Sequence, residues 1–358
     1  MKKDYKKLYR ELYFEYKNYY SNLEASSLKP AKGELREYQL RILKLAKKIV
    51  SQIEDLNIQY FPIGGTLIGA LRHGGFVPWD DDFDLGMMRE DYNNFLDFCK
   101  KNYICIPPEK ISYNYDNRES TWEEYIRKYP NQIIFSQTPH HTQLIYGTSM
   151  DDFANMDIFP HDYYIESLSI EEYNSFLQKV KEKKEELSNY KKILDYYRNE
   201  EKNNPIFVEK SDKIFYGLDN IDNYILKNRG FFTQETIFPL KRVKFEDFEI
   251  SIQNKAREYA NLQYPNFMKM PNSIIISPHI KTRKSKFDIA KINIIDFRNL
   301  LLKIIRKIAL RNFNEKNASF KIFTMNEIKA KIFGVDKTSY KQKYYELLDE
   351  YQFIKDIS

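Results

Sequence analysis

The chain has 358 residues, of which 42% are hydrophobic and 30% charged, so it is long enough for one large domain or two smaller ones and too apolar to be disordered. Its two cysteines, Cys99 and Cys105, exclude a disulfide framework and show no zinc-ligand spacing. The net charge of +6 is compatible with anionic ligands or a membrane surface.

The basic N-terminus is not followed by an apolar run, and no stretch reaches the roughly 18 apolar residues of a membrane span. We therefore expect a cytoplasmic protein, either soluble or peripheral at the inner face of the membrane.

The first hundred residues predict four helical elements and one strand. Residues 1–33 form an N-terminal helical segment, and residues 34–56 carry apolar residues at helical spacing, which predicts a helix that packs on a sheet. Residues 57–63 are typical of a strand, residues 66–73 of a short helix, and residues 89–101 of a longer amphipathic helix.

The segment 64–88 is the most distinctive in the chain, because it holds six of the 11 glycines and four aspartates within five positions. Glycines let a backbone approach a ligand closely, and successive N–H groups in such a turn form an anion site. On a strand, Asp82 and Asp84 point to the same side, and Asp80 joins them if the strand begins early enough. Converging carboxylates repel unless a cation lies between them, and hard oxygen ligands suit Mg²⁺ or Mn²⁺. The segment therefore predicts transfer of a phosphoryl or nucleotidyl group.

Residues 65–73 followed by residues 78–84 resemble the signature of the LicD family, which comprises phosphocholine transferases of bacterial surface glycans and relatives of fukutin that transfer ribitol phosphate. The family belongs to the nucleotidyltransferase-fold superfamily. The resemblance implies an α/β (α+β) fold, with a mixed sheet flanked by helices. The implied catalytic domain covers residues 34–280, with a helical insertion at about 169–204, and residues 281–358 form a helical C-terminal appendage.

The site predicted from these residues has a metal part and a donor-binding part. Asp80, Asp82 and Asp84 are the expected metal ligands, and Asp82 and Asp84 are also assigned as catalytic. Gly64, Gly65 and Thr66 are expected to cradle a phosphate at the start of the short helix. Arg72 either clamps a phosphate or is an exposed arginine at the end of that helix.

Asp157 is the expected third carboxylate and general base. It lies between apolar neighbours in a stretch, residues 155–162, that resembles the Asp-Ile-Phe-Pro motif of the family. A buried strand carboxylate needs a charged partner, which the metal or an attacking hydroxyl can supply. Asp162 is predicted to shape the following loop, and the pair His140 and His141 to occupy a loop or substrate-facing position rather than a metal site.

The later motifs are less specific. Ser169 to Glu172 is a capping box that opens a long charged helix or a helical pair. A pair of strands is predicted at residues 237–240 and 243–246. Glu246, at the end of the second strand, either supports the site, binds donor hydroxyls or lies on a surface hairpin. At 264–266 the chain has Tyr-Pro-Asn where the family has Tyr-Gly-Asp, which puts the function of that aspartate in doubt here.

The C-terminal residues include a basic amphipathic helix at 300–313. It either contacts an anionic membrane surface or packs against the catalytic domain.

The resemblance implies transfer of phosphocholine from a CDP-alcohol, CDP-choline first, to a sugar of a lipopolysaccharide, capsule or teichoic acid, or to its lipid-linked glycan precursor. CDP-ribitol, CDP-glycerol or another CDP-alcohol is the alternative donor. A non-catalytic glycan-binding protein is the alternative of another class. No nucleic-acid partner is expected.

Overall fold

The computed structural model describes residues 4–111, 115–220, 230–271 and 340–358. The chain divides into two compact units, one formed essentially by residues 24–274 and the other by residues 1–23 and 275–356. The predicted domain boundaries after residues 33 and 280 stay predictions.

Helices and strands both occur throughout the described residues. The helices are α1 (Tyr5–Ser21), α2 (Gly33–Asp55), α3 (Gly64–Arg72), α4 (Arg89–Asn102), α5 (Tyr115–Lys128), α6 (Ile170–Glu186), α7 (Tyr190–Asn203), α8 (Gln234–Ile237), α9 (Ala256–Gln263) and α10 (Tyr340–Ile357). The strands are β1 (Phe61–Pro62), β2 (Asp84–Met88), β3 (Ile104–Ile106), β4 (Ile134–Gln137), β5 (Thr142–Tyr146), β6 (Ala154–Tyr164), β7 (Phe207–Val208), β8 (Lys213–Tyr216), β9 (Lys241–Phe245) and β10 (Phe248–Ile252).

The larger sheet is mixed and has the strand order β1–β2–β6–β5–β4–β3, with β7 and β8 paired to the second half of β6. Strand β6 is parallel to β2 on one side and antiparallel to β5 on the other, so residues 154–161 lie in the middle of the sheet. This sheet, flanked by helices, confirms the predicted α/β (α+β) fold class.

Helix α2 confirms the helix predicted at residues 34–56, and its apolar face accounts for much of its stability. Ile42, Ile49 and Ile53 are fully buried in the core that the sheet shares with the helices. Each such side chain contributes about 1.5–3 kcal/mol through removal from water.

The predicted capping box is also present. The Ser169 hydroxyl accepts a hydrogen bond from Glu172 N at 3.1 Å, and the Glu172 carboxylate accepts one from Ser169 N at 2.9 Å. Helix α6 then ends at Glu186, and the Asn189 side chain caps α7. The region 169–204 is therefore a helical pair rather than one long helix.

Two predictions about the local structure were wrong. The strand predicted at 57–63 is reduced to Phe61–Pro62, because Asn57 adopts a positive φ of 54° at the end of α2. The run 237–240 is not a strand, because the Thr233 side chain caps the short helix α8 at Thr236 N. The antiparallel hairpin lies later, between β9 and β10, with Glu246 in its turn. Helix α5 was not predicted at all.

Asp162 lies within β6, not in the loop where the sequence placed it. It is 5% exposed, and the Arg89 guanidinium donates two hydrogen bonds of 2.7 Å to its carboxylate. Arg89 also pairs with Glu201 and Asp219, each at 3.0 Å. Burial raises the pKa of Glu201 to about 8 despite the neighbouring guanidinium groups of Arg89 and Arg198. This cluster joins α4, α7 and the central strand.

In the second unit, α1 and α10 pack through tyrosines. Tyr16 donates a hydrogen bond of 2.6 Å to Glu350, and Tyr351 donates one of 2.8 Å to Glu15. The helix predicted at 300–313 lies outside the described residues. Among the described helices, none combines the length and apolarity that crossing a membrane requires.

Candidate active site

The site is built where α3 begins beside strand β2. The backbone N–H of Asp84 donates a hydrogen bond of 2.8 Å to the Thr66 hydroxyl, which fixes the start of β2 against the helix. Gly64 and Gly65 form the first turn of α3 itself rather than a separate turn before it.

The two glycines are required by close approach of carboxylates. A Cβ on Gly65 would lie 1.8 Å from Asp80 Oδ2, so no side chain fits there unless Asp80 moves. Gly64 has a φ of +56°, and a Cβ at this position would lie 3.3 Å from Asp84 Oδ2. The helix N-terminus and the carboxylates therefore share one small space.

The aspartates crowd together before and at the start of β2. Oxygens of Asp80, Asp81 and Asp82 lie within 4.8 Å of one another. The buried side chain of Gln39 holds this segment by donating hydrogen bonds to the backbone oxygens of Val77 at 3.2 Å and Asp80 at 2.8 Å. The crowding is thus imposed by the backbone.

Asp84 and Asp157 are direct neighbours in the sheet, because β2 and β6 pair in parallel with these two residues in register. Residues opposite each other on paired strands project to the same face. The predicted third carboxylate is therefore brought to the other two.

Burial and mutual repulsion disfavour the charged forms of these groups. Burial, and then the neighbouring Asp157 and Asp80, raise the pKa of Asp84 well above its usual range. The pKa of Asp82 is raised by burial and then by Asp84, and that of Asp80 by burial and then by Asp82.

This arrangement fits a divalent cation. Asp82 Oδ1 is buried and has no hydrogen-bond partner among the described residues, and the same holds for Asp157 Oδ1. Buried acceptor oxygens without donors are costly, and a hard cation such as Mg²⁺ or Mn²⁺ satisfies several at once. The three carboxylates whose oxygens lie within 4.8 Å of one another include Asp81, whereas the sequence predicted Asp84 as the third ligand. We favour Asp84 as the ligand, because it shares a sheet face with Asp157.

Two predicted donor-binding residues, Arg72 and Glu246, make contacts outside the carboxylate group. Arg72 donates hydrogen bonds to His73 Nε2 at 2.9 Å and to the Phe267 carbonyl at 2.5 Å, and its guanidinium lies 5.5 Å from the centre of the Trp79 ring. It therefore ties α3 to the segment that follows α9.

Glu246 is not brought to the carboxylates. Its side chain accepts two hydrogen bonds from Arg36, at 2.9 and 2.7 Å, and one from Phe76 N at 3.2 Å. It holds the loop after α3 against α2. This geometry favours the supporting role over contact with a donor.

The structure adds three residues that the sequence did not assign to the site. His141 Nε2 lies 3.6 Å from Asp157 Oδ2. Gln143 is 4% exposed and pairs in register with Asp157 from the other side. The Tyr264 hydroxyl lies 3.9 Å from the Cβ position of Gly64, and its pKa is raised by burial and by Tyr216, Asp84 and other neighbouring groups. The adjacent histidines and the Tyr-Pro-Asn stretch were visible signals, whereas the strand register that brings Gln143 to Asp157 was not.

Part of the chain that carries these residues is similar to known proteins. Residues 57–141 match the family model described as LicD/FKTN/FKRP, nucleotidyltransferase domain. The lipopolysaccharide cholinephosphotransferase LicD of Haemophilus influenzae is 38% identical over 91 residues, which are 25% of this chain and 32% of that protein. The human ribitol 5-phosphate transferase FKRP is 31% identical over 102 residues, or 28% of this chain and 19% of that protein.

The match to the family model includes the four aspartates of residues 80–84 and ends before Asp157. The matched segment covers about a third or less of each of these relatives. Residues 57–141 of this chain are thus similar to the nucleotidyltransferase domain of the LicD/FKTN/FKRP family.

Proposed function

We propose that the protein transfers phosphocholine from CDP-choline to a sugar hydroxyl of a cell-surface glycan, such as a lipopolysaccharide, capsule or teichoic acid, or of its lipid-linked precursor. The observation that carries the proposal is the register of Asp84 with Asp157, beside Asp80 and Asp82 at the start of α3. This arrangement supports an anion site, a cation site and a candidate base that lie close together.

Asp80, Asp82 and Asp84 would hold Mg²⁺ or Mn²⁺. A cation held by these carboxylates would supply positive charge to offset that of the donor diphosphate and the leaving phosphate. The first N–H groups of α3, from Gly64 to Thr66, have no partner within the helix and are suited to orient a phosphate oxygen. The Thr66 hydroxyl already accepts a hydrogen bond from Asp84 N, so Thr66 contributes its backbone to the donor.

Asp157 takes the proton of the acceptor hydroxyl. As that proton moves to a carboxylate oxygen, the acceptor oxygen forms a bond to the phosphorus that carries choline. The bond from this phosphorus to the oxygen of CMP breaks, and CMP leaves with the electron pair. Asp157 then returns the proton to water, so one phosphodiester and one CMP form in each turnover.

A second donor is supported by a specific observation. The human and mouse relatives are named ribitol 5-phosphate transferases, and each is 31% identical to this chain over 102 residues. CDP-ribitol, or CDP-glycerol with similar chemistry, is therefore the alternative donor. A glycan-binding protein without activity is the remaining alternative. The crowded carboxylates argue against it, because their mutual repulsion costs stability that a bound cation would restore.

A lipid-linked acceptor would place the reaction at the cytoplasmic face of the membrane. The basic segment 300–313 is the part of the chain suited to contact that surface. This location rests on the composition of the segment, which lies outside the described residues.

The experiment is incubation of the protein and Mg²⁺ with CDP-choline, CDP-ribitol or CDP-glycerol and glycan acceptors, followed by mass spectrometry. An added mass of phosphocholine supports the proposal, and an added mass of ribitol or glycerol phosphate supports the alternative donor. Glycan binding without any added mass or CMP release refutes both and leaves the binding protein.

A further inference from the structure

We propose that His141 is the positioning residue for Asp157, and that it holds one carboxylate oxygen so that the other faces the acceptor hydroxyl. The inference rests on the proposed role of Asp157 as the base, and it assigns a function to a side chain for which the sequence predicted only a loop or substrate-facing position.

The backbone around His141 is fixed by a tight connection between β4 and β5. Thr138 N donates a hydrogen bond of 3.0 Å to the His141 carbonyl. The Thr138 hydroxyl accepts hydrogen bonds from His140 N at 3.1 Å and from His141 N at 3.2 Å. Thr138 is itself 1% exposed, so this turn is anchored in the protein interior.

The ring of His141 is directed along the sheet towards β6. It packs on Phe159, with 5.3 Å between the ring centres, and Phe159 projects from the same face of β6 as Asp157 because the two residues are two positions apart. The side chain of His141 is only 14% exposed. Packing and the turn together leave the imidazole little freedom to rotate.

The two oxygens of Asp157 differ in their surroundings. Oδ2 lies 3.6 Å from His141 Nε2, whereas Oδ1 is buried and has no hydrogen-bond partner within the described part of the chain. A separation of 3.6 Å is an ion-pair distance rather than a hydrogen bond, and contacts of this kind shorten when substrate binds. The imidazole therefore sets the rotation of the carboxylate, and Oδ1 is the atom left for the acceptor proton.

Such a positioning contact affects turnover more than donor binding. Loss of a side chain that orients a reacting or ligating group typically costs about 10- to 100-fold in activity. The proposed donor site is the helix N-terminus with the metal carboxylates, whereas the contact of His141 used here is with the proposed base, so donor affinity should stay within about twofold.

The test compares three variants under the same transfer assay. In His141→Leu the ring nitrogen is lost, and we expect kcat to fall about 10- to 100-fold with an unchanged KM for the donor. In His141→Gln the amide N–H lies near the position of Nε2, and most of kcat should return. His140→Gln is the matched control, because His140 is the neighbouring residue in the same turn whereas the contact with Asp157 comes from His141. The His140→Gln variant should have the kcat and KM of the wild type.

Equal kcat for His141→Leu and the wild type overturns the inference, and so does a loss that His141→Gln fails to restore. A second measurement does not depend on turnover. The chain has only five histidines, so the ¹³Cε1–¹H signal of His141 can be assigned from its absence in His141→Gln.

We expect this signal to shift in Asp157→Asn and to be unchanged in His140→Gln. An unshifted His141 signal in Asp157→Asn overturns the inference whether or not the wild type is active. No transfer by the wild type from any CDP-alcohol would instead refute the proposed function, while the shift still decides whether His141 holds Asp157.

Discussion

The aspartates at residues 80–82 should destabilise the metal-free protein, so removal of one charge should stabilise it. Their oxygens lie within 4.8 Å of one another. Two unit charges at that distance repel by about 3 kcal/mol at an effective dielectric constant of about 20. Asp82→Asn removes one charge with almost no change in volume. Because raised pKa values already relieve part of the repulsion, we expect the free energy of unfolding to rise by about 1–3 kcal/mol.

Thermal unfolding followed by circular dichroism measures this change. For a unit of this size 1 kcal/mol corresponds to about 2–4 °C, so the Tm of Asp82→Asn in EDTA should exceed that of the wild type by about 2–12 °C. Mg²⁺ at about 100 times its Kd should stabilise the wild type by about 2.7 kcal/mol, and the variant by much less. Asp97→Asn is the matched control, because Asp97 is exposed and its pair with Lys100 contributes within about 0.5 kcal/mol.

The effect of pH has a definite sign. The folded-state pKa values of Asp80, Asp82 and Asp84 lie above the unfolded values near 4, so protonation favours the folded state. This contribution should make the Tm of the metal-free wild type rise as the pH falls towards the unfolded pKa values near 4, with a smaller rise in Asp82→Asn. A lower Tm for Asp82→Asn than for the wild type in EDTA, or no response of the wild type to Mg²⁺, would refute the reasoning.

Three further predictions concern the base, the buried ion cluster and the membrane. Asp157→Asn should lower kcat by about 10²- to 10⁴-fold in single-turnover assays with little change in donor affinity. A loss of donor binding as large as that of Asp84→Asn would make Asp157 a metal ligand instead. Arg89→Met should cost about 3–5 kcal/mol in urea unfolding, because it leaves buried carboxylates unpaired, and a loss below 1 kcal/mol would contradict this. Replacing the four basic residues of 300–313 with Gln should remove salt-sensitive sedimentation with anionic liposomes, because each basic residue contributes about 1 kcal/mol to the free energy of membrane binding. Equal sedimentation of the wild type and the variant would favour a packing role for this predicted helix.

The parts of the fold that depend on local chemistry could be predicted from the sequence. The apolar spacing of α2 and the capping box at Ser169 depend on residues within a few positions of each other, and both predictions were confirmed. The alternation of Asp82, Phe83 and Asp84 is local in the same way. It predicted that Phe83 faces away from the two aspartates, and Phe83 is fully buried in the core.

The parts that depend on distant contacts could not be predicted. Asp162 looked like a loop residue after Pro160, but its partner Arg89 lies 73 residues earlier in the chain and holds it in the central strand. Glu246 looked available for a ligand because its partner Arg36 lies 210 residues away. The contact of His141 with Asp157 likewise depends on the pairing of β5 with β6.

The most direct test of the central claim is a count of products from the wild type and Asp84→Asn, with CDP-choline, Mg²⁺ and a glycan acceptor. The account predicts that the wild type forms one CMP for each phosphodiester, and that Asp84→Asn forms neither while its circular dichroism spectrum stays that of the folded protein. Equal product formation by the two proteins would contradict a carboxylate site at the start of β2, and so would a wild type that releases no CMP from any CDP-alcohol.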